Sequence, residues 1–321
     1  MKSFWEELKK PIFVLAPMAD VTDPAFRRII AKYGKPDVFW TEFVSADGLA
    51  LAPEEGRKKL LKDLEYTDEE RPIIAQFFTS KPENMERAAT LVRELGFDGV
   101  DINMGCPDKS IEKQLAGAAL MKNPKLAREI IKAAKRGAGN LPVSVKTRVG
   151  FNKVELDTWL PEILKENPAL VTIHARTRKE MSKVPARWEH VREAVKIRNN
   201  IAPGVLIFGN GDVQNLNEAR ERIKETGADG VMLGRAIFGN PWLFSETTPT
   251  LEEKLKVLVE HTKLFEEILG GFKNFALMKK HYKAYVNGFD GASELRVKLM
   301  DTNTSSEVEK IIDDYVNTKT N

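Results

Sequence analysis

The chain has 321 residues, of which 42% are hydrophobic and 30% charged, and its formal net charge is +3. No apolar run approaches the roughly 20 residues that span a bilayer. The acidic first residues indicate no secretory signal, so we expect a cytoplasmic location. The single cysteine excludes an internal disulfide and leaves too few thiols for a zinc or iron–sulfur centre, so no metal site is expected.

Eight apolar, β-rich segments alternate with helical patterns in the first 245 residues. Eight strand–helix repeats are typical of a parallel sheet with crossover helices. The sequence therefore predicts the α/β class, with a (β/α)8 TIM barrel over residues 1–245. The predicted strands are Ile12–Ala16, Val38–Phe43, Ile73–Phe77, Gly99–Ile102, Val143–Lys146, Leu170–Ile173, Val205–Phe208 and Gly230–Leu233.

Capping residues mark two of the helices between these strands. The segment Thr22-Asp23-Pro24 predicts the start of a helix over Ala25–Tyr33. The segment Ser80-Lys81-Pro82-Glu83 does the same for Met85–Leu95, which Gly96 ends. Further amphipathic helices are predicted over Pro124–Lys135, Trp188–Arg198 and Asn215–Thr226.

After Phe244 the chain shows only helical patterns. Residues 247–250 predict a linker that caps a new helix. We therefore predict a small C-terminal helical domain over residues 246–321. Its predicted helices are roughly Leu251–Leu269, Ala276–Asn287, Ala292–Met300 and Ser306–Val316.

The only cysteine lies in the segment Asn103-Met104-Gly105-Cys106-Pro107, directly after the fourth predicted strand. A lone cysteine is often a small buried hydrophobic residue. Cys106 lies instead on a polar turn at the C-terminal mouth of a strand, where parallel α/β folds perform chemistry. We therefore predict a functional thiol, with the Asn103 amide beside it.

Every predicted strand ends in a polar or glycine-rich cluster, whereas the opposite strand ends lack one. Together the clusters predict an active site on the C-terminal face of the barrel. In strand order they contain Asp20, Glu42, Gln76, Asn103 with Cys106, Lys146 with Arg148, His174 with Arg176 and Thr177, Gly209 to Asp212, and Gly234 with Arg235.

Glycines after strands seven and eight predict a phosphate site. Gly209 and Gly211 let the backbone approach an anion, and Gly234-Arg235 adds amides and a guanidinium beside a short helix. Either motif alone would be an ordinary turn, but the pair matches the usual phosphate site of phosphate-binding barrels. Asp212 is expected to orient backbone or water, because a carboxylate and a phosphate repel each other.

Three side chains at the barrel mouth suit a planar cofactor. Lys146 would stabilise the anion of a reduced flavin, with a pair to Glu42 or Asp101 as the alternative. His174 would donate to a cofactor or substrate carbonyl, or would be a satisfied barrel-mouth histidine. Gln76 carries both a donor and an acceptor for the amide edge of a ring.

Seven motifs in this order resemble the tRNA-dihydrouridine synthase family, and the resemblance covers nearly the whole chain. The cysteine and the paired late glycine motifs are its most specific part. The motifs are residues 15–23 (LAPMADVTD), 103–107 (NMGCP), 115–121 (LAGAALM), 173–178 (IHARTR), 209–213 (GNGDV), 230–236 (GVMLGRA) and 239–242 (GNPW).

The resemblance implies an FMN-bound barrel, reduced by NADPH, that reduces the 5,6 double bond of a uridine in tRNA. Cys106 would donate the proton to C5 after hydride reaches C6, because a thiol with a pKa of about 8.5 is protonated at neutral pH. His174 would lie against the flavin, Asn103 would bind the flavin or the uracil, and Arg176 would lie near the substrate. The residues that would hold FMN are Pro17, Met18, Ala19, Gln76, Lys146, Asn210, Gly211, Asp212, Gly234 and Arg235.

The tail has the composition of an RNA-binding surface. Residues 272–300 hold six basic side chains against two acidic ones, with His281, Tyr282 and Tyr285 interleaved. Phosphate contacts beside aromatic surfaces suit RNA, although an ordinary solvated helix face explains the charges equally well. The residues predicted to bind tRNA are Lys279, Lys280, Lys283 and Arg296.

Three other functions are compatible with these residues. A dihydroorotate dehydrogenase-like FMN barrel would act on a free pyrimidine and would not need a basic tail. A non-catalytic RNA-binding barrel would keep the fold without the chemistry. A flavin-free phosphate-binding lyase would use Lys146 as a Schiff-base lysine. Without an evident extra apolar surface, the sequence predicts a monomer.

Overall fold

The computed structural model describes residues 3–245 and 247–320. Its strands are β1 (Ile12–Leu15), β2 (Phe39–Ser45), β3 (Ile73–Phe78), β4 (Gly99–Met104), β5 (Val143–Arg148), β6 (Leu170–His174), β7 (Leu206–Asn210) and β8 (Gly230–Leu233). They form one parallel sheet in which β1 pairs with β8 and each later strand pairs with its neighbour in the chain. A parallel bridge between Val14 and Val38 joins β1 to the start of β2 and closes the barrel. The predicted barrel fold and all eight predicted strands are confirmed.

Helices cover the outside of the barrel and form the tail. Asp23 caps the first of them by accepting a hydrogen bond from the Phe26 N–H at 2.9 Å, as predicted. The helices are α1 (Pro24–Tyr33), α2 (Ala46–Leu51), α3 (Glu54–Lys62), α4 (Pro82–Glu94), α5 (Lys109–Lys113), α6 (Pro124–Ala138), α7 (Leu156–Leu164), α8 (Glu189–Ile201), α9 (Leu216–Thr226), α10 (Leu251–Leu269), α11 (Lys279–Tyr285), α12 (Ala292–Met300) and α13 (Ser305–Thr320).

Two helix starts differ from the prediction. Lys81, not Ser80, lies at the N-cap of α4, and the Ser80 hydroxyl donates to the Gln114 carbonyl at 2.6 Å instead. In the tail, a short 3-10 helix over Phe275–Met278 precedes α11, so the single predicted helix over 276–287 is divided. The predicted cap of α10 is confirmed, because Thr250 and Glu253 form a reciprocal capping box.

Two apolar layers hold the fold together. One fills the barrel interior, where Trp5 packs its ring edge against Phe208 at 5.7 Å between ring centroids. The other lies between the strands and the surrounding helices and continues without a break into the tail. There Phe26 of α1 stacks on His261 of α10 with ring centroids 4.7 Å apart. The tail is therefore packed firmly onto the barrel.

The predicted division at residues 245 and 246 falls between the short 3-10 helix that follows β8, which ends at Ile237, and α10, which begins at Leu251. Residue 246, like residues 1, 2 and 321 at the ends of the predicted ranges, lies outside the described residues. Within the part of the chain that the structure describes, no helix is long and apolar enough to cross a membrane.

Candidate active site

A cleft of about 930 Å³, including its open mouth, lies at the C-terminal ends of the barrel strands. Ala19 is exposed and is not part of the lining. The predicted residues that line the cleft are Pro17, Met18, Gln76, Asn103, Cys106, Lys146, His174, Arg176, Asn210, Gly211, Asp212, Gly234 and Arg235.

The turn that carries Cys106 is held by Asn103. The Asn103 Oδ1 accepts hydrogen bonds from the backbone N–H groups of Gly105 at 3.1 Å and Cys106 at 2.9 Å. Its Nδ2 donates to Gln76 Oε1 at 3.0 Å, and Gln76 Nε2 donates to the buried carboxylate of Asp101 at 2.5 Å. A continuous chain of hydrogen bonds therefore fixes the position of the thiol from beneath.

Gly117 and Ala118, in the segment after the turn, contact the backbone of Cys106 from the other side. The Ala118 N–H donates to the Cys106 carbonyl oxygen at 3.0 Å. Gly117 has a φ of +59°, and a Cβ there would lie 2.9 Å from the same oxygen. Only glycine fits both the left-handed backbone and this close approach.

Arg148 joins the Cys106 turn to the loop after β6. Its Nε donates to the Gly105 carbonyl at 2.8 Å, and its Nη1 donates to the carbonyls of Thr177 and Met181, both at 3.1 Å. Burial lowers the pKa of this guanidinium to about 10, which leaves it charged at neutral pH. A second link between the same two loops is the ion pair of Arg178 with Glu112.

The thiol itself is positioned to hold a proton. Burial raises the pKa of Cys106 above its ordinary value, while the nearby charges of Lys146 and Arg148 act in the opposite direction. Cys106 therefore stays protonated at neutral pH and can serve as an acid.

Lys146 brings a positive charge into the cleft. Among the described residues its hydrogen bond goes to Asn210 Oδ1 at 3.3 Å, and Asn210 in turn donates to the Met232 carbonyl at 2.7 Å. Burial, together with the charge of Arg148, lowers the pKa of Lys146 to about 8. A cation in such a place is poised for an anionic ligand.

Neither carboxylate considered as a partner of Lys146 forms an ion pair with it. Asp101 accepts hydrogen bonds from Gln76 and Ser144, and burial raises its pKa to about 6. Glu42 instead meets the tail residue Lys273 at 2.7 Å.

His174 and Arg176 form one unit in the cleft wall. Arg176 Nη1 lies 3.2 Å from His174 Nε2, and its Nε donates to the Val184 carbonyl at 2.6 Å. Burial and the neighbouring cations lower the pKa of His174 well below its ordinary value. The ring is therefore neutral; since Nε2 accepts from Arg176, the assigned hydrogen lies on Nδ1, which can donate to a ligand.

Asp212 organises the glycine-rich end of β7. Its carboxylate accepts from the Ala186 N–H at 2.8 Å and pairs with Arg176 and, at 2.6 Å, with the largely exposed Arg235. Although burial acts in the opposite direction, these bonds keep the pKa of Asp212 below its ordinary value. Asp212 thus orients the Ala186 backbone and two guanidinium groups.

Gly209 and Gly211 are glycines for different structural reasons. A Cβ on Gly209 would lie 2.1 Å from the Trp188 ring, so this glycine is needed for packing rather than for an anion. Gly211 has a φ of +132°, and its carbonyl accepts from Trp188 Nε1 at 2.9 Å. Of the predicted cradle, Gly211, Gly234 and Arg235 line the cleft, whereas Gly209 packs against Trp188.

The prediction that aromatic residues contribute to an RNA-binding surface is wrong. His281, Tyr282 and Tyr285 are buried in the core that joins the tail to the barrel, because they share the inner face of a short helix. Lys273, one of the six basic residues, is not available to bind RNA, because it forms ion pairs with Glu42 and, at 2.9 Å, with Asp63. Burial opposes its charge, but these carboxylates raise its pKa.

The basic residues predicted to bind tRNA lie outside the cleft. Lys279 and Lys283 are one turn apart on α11, and Lys283 is exposed. Lys280 is half-buried, and burial lowers its pKa while Asp20 acts in the opposite direction. Arg296 Nη1 donates to the Val286 carbonyl at 2.8 Å, just beyond the end of α11.

Several lining residues were not assigned a role from the sequence. Arg148 was visible as a strand-end residue, since it lies on the same face of β5 as Lys146. The others carry no local signal of this kind; they include Phe43, Ser182, Gln214 and Met232. Within the described chain, no group of three or more His, Cys, Asp or Glu side chains suits a metal ion.

The fold and the cleft define an α/β-barrel protein with a cationic site and one thiol at the C-terminal face of its strands. The family model described as "Dihydrouridine synthase (Dus)" matches residues 14–320. The chain belongs to the dihydrouridine synthase family.

Named relatives agree with this family. A protein of Bacillus subtilis (strain 168) named "Probable tRNA-dihydrouridine synthase 2" is 41% identical over 98% of this chain and 97% of its own length. A "Probable tRNA-dihydrouridine synthase" of Staphylococcus aureus (strain MRSA252) is 39% identical over 98% and 96%.

Solved structures share the fold. A variant of NCR from Zymomonas mobilis has a TM-score of 0.52 at 15% identity and covers 79% of this chain and 96% of its own. Histamine dehydrogenase from Rhizobium sp. 4-9 also has a TM-score of 0.52, at 13% identity, and covers 78% of this chain and 48% of its own.

Proposed function

We propose that this protein reduces uridines of tRNA to dihydrouridine, with FMN held in the cleft and NADPH as the source of electrons. Family membership and the names of the relatives support the reaction and the substrate. The observation that carries the proposal is the position of the Cys106 thiol, which lines a cleft whose other side is cationic. Burial raises the pKa of this thiol and so favours its protonated form.

The residues of the cleft fit FMN. The amides and guanidinium of Gly211, Gly234 and Arg235 suit its phosphate. A Cβ on Gly234 would meet only the side chains of Ala16 at 3.6 Å and Met18 at 3.7 Å. Lys146, a cation that lacks a carboxylate partner among the described residues, and the Nδ1–H of His174 suit the oxygen and nitrogen atoms of the ring system. Bound FMN supplies hydride for C6 of the uracil ring.

Cys106 completes the reduction. Once C6 has received hydride, C5 of the uracil ring needs a proton, and the thiol of Cys106 donates it. Asn103 keeps the thiol in place through its backbone and retains one Nδ2 hydrogen for the carbonyl edge of the uracil. Arg176 has two N–H groups beyond those used by its protein partners, so it can also donate to the substrate.

The tail supplies a second contact for a large RNA. Lys279, Lys280, Lys283 and Arg296 are proposed to bind phosphates of tRNA, of which Lys283 is the most accessible. A uridine inside a folded tRNA must leave its stack to enter the cleft, which costs a few kcal/mol. Phosphate contacts away from the cleft would offset part of this cost.

The test compares wild type with Cys106→Ala and Cys106→Ser on unmodified tRNA and on free uridine. We expect all three proteins to bind FMN and to accept electrons from NADPH. Dihydrouridine formation should fall by about 10²- to 10⁴-fold in both variants, the usual loss when a proton donor is removed. Wild-type turnover of free uridine but not tRNA would favour a free-pyrimidine enzyme. A wild type that binds no FMN would overturn the proposal.

A further inference from the structure

A β-bulge in β2 sends an aromatic side chain into the cleft. Trp40 pairs with Ile74 of β3, and the next paired residues are Phe43 and Gln76. Thr41 and Glu42 therefore lie opposite the single residue Ala75, the two-against-one arrangement of a β-bulge.

The bulge reverses the side on which Phe43 lies. Trp40 points into the barrel interior, so strict alternation would direct Phe43 outward to the helices. The extra residue shifts the alternation by one, and Phe43 lines the cleft beside its partner Gln76. Bulges that redirect one side chain are frequent next to active sites.

Thr41 stabilises this irregular segment. Its hydroxyl accepts from the Gln76 N–H at 3.1 Å and donates to the Glu42 carbonyl at 2.8 Å. The backbone donor of Gln76 thus has a partner even though the regular pairing is interrupted. The bulge is a stable part of the fold.

Phe43 belongs to a small apolar wall that includes the thiol. Phe43 and Cys106 each pack against the buried cluster of Phe78, Ile111 and Ala116. The Phe43 and Phe78 rings meet edge to face, with centroids 6.1 Å apart and planes at 72°. This contact limits the motion of the Phe43 ring, so the wall is a firm aromatic surface beside the proton donor.

The rest of the cleft is chemically different. The cations and anion-binding glycines come from β5 to β8, and in a closed barrel of eight strands β2 stands across from β6. A uracil ring has an apolar edge at C5 and C6 and a polar edge with its two carbonyls. The apolar wall therefore matches the edge that must face Cys106.

We propose that Phe43 is a substrate-positioning residue, whose ring contacts the uracil of the target uridine and holds C5 toward Cys106. This inference rests on the proposed function. Base–aromatic contacts are worth about 1–3 kcal/mol by truncation, or about 5- to 150-fold in an equilibrium or rate. Since Phe43 lies on the far side of the cleft from the anion-binding glycines, FMN affinity should not depend on it.

The experiment uses Phe43→Leu, Phe43→Tyr and the matched control Phe13→Leu, in which a β1 phenylalanine that does not line the cleft is changed in the same way. We expect kcat/KM for tRNA to fall about 5- to 150-fold in Phe43→Leu. FMN affinity, the rate of flavin reduction by NADPH and thermal stability should match those of the Phe13→Leu control. Phe43→Tyr keeps the ring and should keep most of the activity.

A second pair tests the bulge while leaving Phe43 in place. Thr41→Ser retains the hydroxyl that accepts from Gln76, whereas Thr41→Val removes it. We expect Thr41→Val to lower kcat/KM for tRNA in the same direction as Phe43→Leu, and Thr41→Ser to resemble wild type.

The outcomes separate the inference from the function on which it depends. Wild type that fails to make dihydrouridine contradicts the proposed function, and the role of Phe43 falls with it. Active wild type with an unchanged kcat/KM in Phe43→Leu overturns the inference alone. Loss of FMN affinity in Phe43→Leu also overturns it, because the ring would then be part of the flavin site.

Discussion

Replacing Lys146 by methionine should stabilise the flavin-free protein while weakening flavin binding. The ammonium of Lys146 is held in the cleft by one long hydrogen bond to Asn210. Burial lowers its pKa from an ordinary value of 10.5 to about 8. A lysine whose pKa is lower in the folded than in the unfolded state reduces the free energy of unfolding wherever it is charged.

The magnitude follows from that difference in pKa. Lowering the pKa of Lys146 from 10.5 to about 8 corresponds to at most about 3 kcal/mol. Because the side chain is partly open to the cleft, we expect a gain of about 1–3 kcal/mol for Lys146→Met at pH 7. Because the pKa of Lys146 is lower in the folded state, its charge destabilises the fold fully below pH 8. This destabilisation shrinks as pH rises toward 10.5 and vanishes above it.

Urea denaturation of the flavin-free proteins at pH 7 and pH 9.5 measures both effects. Lys146→Met should be more stable than wild type at pH 7, and the gain should be smaller at pH 9.5. Lys153→Met, at an exposed lysine, should show no such gain at either pH. A less stable Lys146→Met, or a gain that does not depend on pH, would refute the reasoning.

Three further substitutions test the contacts around the cleft. Lys273→Met leaves Glu42 buried without its cation and should lower the free energy of unfolding in urea by about 3–5 kcal/mol. Adding Glu42→Gln should restore part of this loss, and a loss within error of zero would contradict the ion-pair cluster. Gly117→Ala forces a Cβ against the Cys106 carbonyl at positive φ and should lower the free energy of unfolding by about 1–3 kcal/mol. An unchanged thermal midpoint would contradict the requirement for glycine at this position. Arg148→Lys loses the fork that binds three carbonyls, and alkylation of Cys106 by iodoacetamide should become faster; an unchanged rate would show that the turn is held by other contacts.

The barrel could be predicted because its signals are local. Each strand is an apolar run followed by turn residues, and strand ends converge wherever parallel strands form a closed sheet. Cys106, Lys146 and His174 could therefore be assigned to one mouth without any knowledge of their distances. The bulge that redirects Phe43 has no such signal, since one extra residue changes the facing of a side chain without changing the composition.

The tail was harder to interpret because its packing is non-local. His281, Tyr282 and Tyr285 have the same residue types as an RNA-binding surface, and only the position of α10 and α1 decides that they are buried. Lys273 looks like a solvent-exposed charge, yet its partner Glu42 is 231 residues away in the chain. Contacts between distant segments determined both outcomes.

Anaerobic mixing of the NADPH-reduced protein with unmodified tRNA tests the central claim most directly. The account predicts that wild type regains its oxidised flavin absorbance in one turnover and that the tRNA gains dihydrouridine, whereas Cys106→Ala remains reduced over the same period. Equal reoxidation and equal dihydrouridine in the two proteins would show that the proton comes from elsewhere and would contradict the assignment of Cys106.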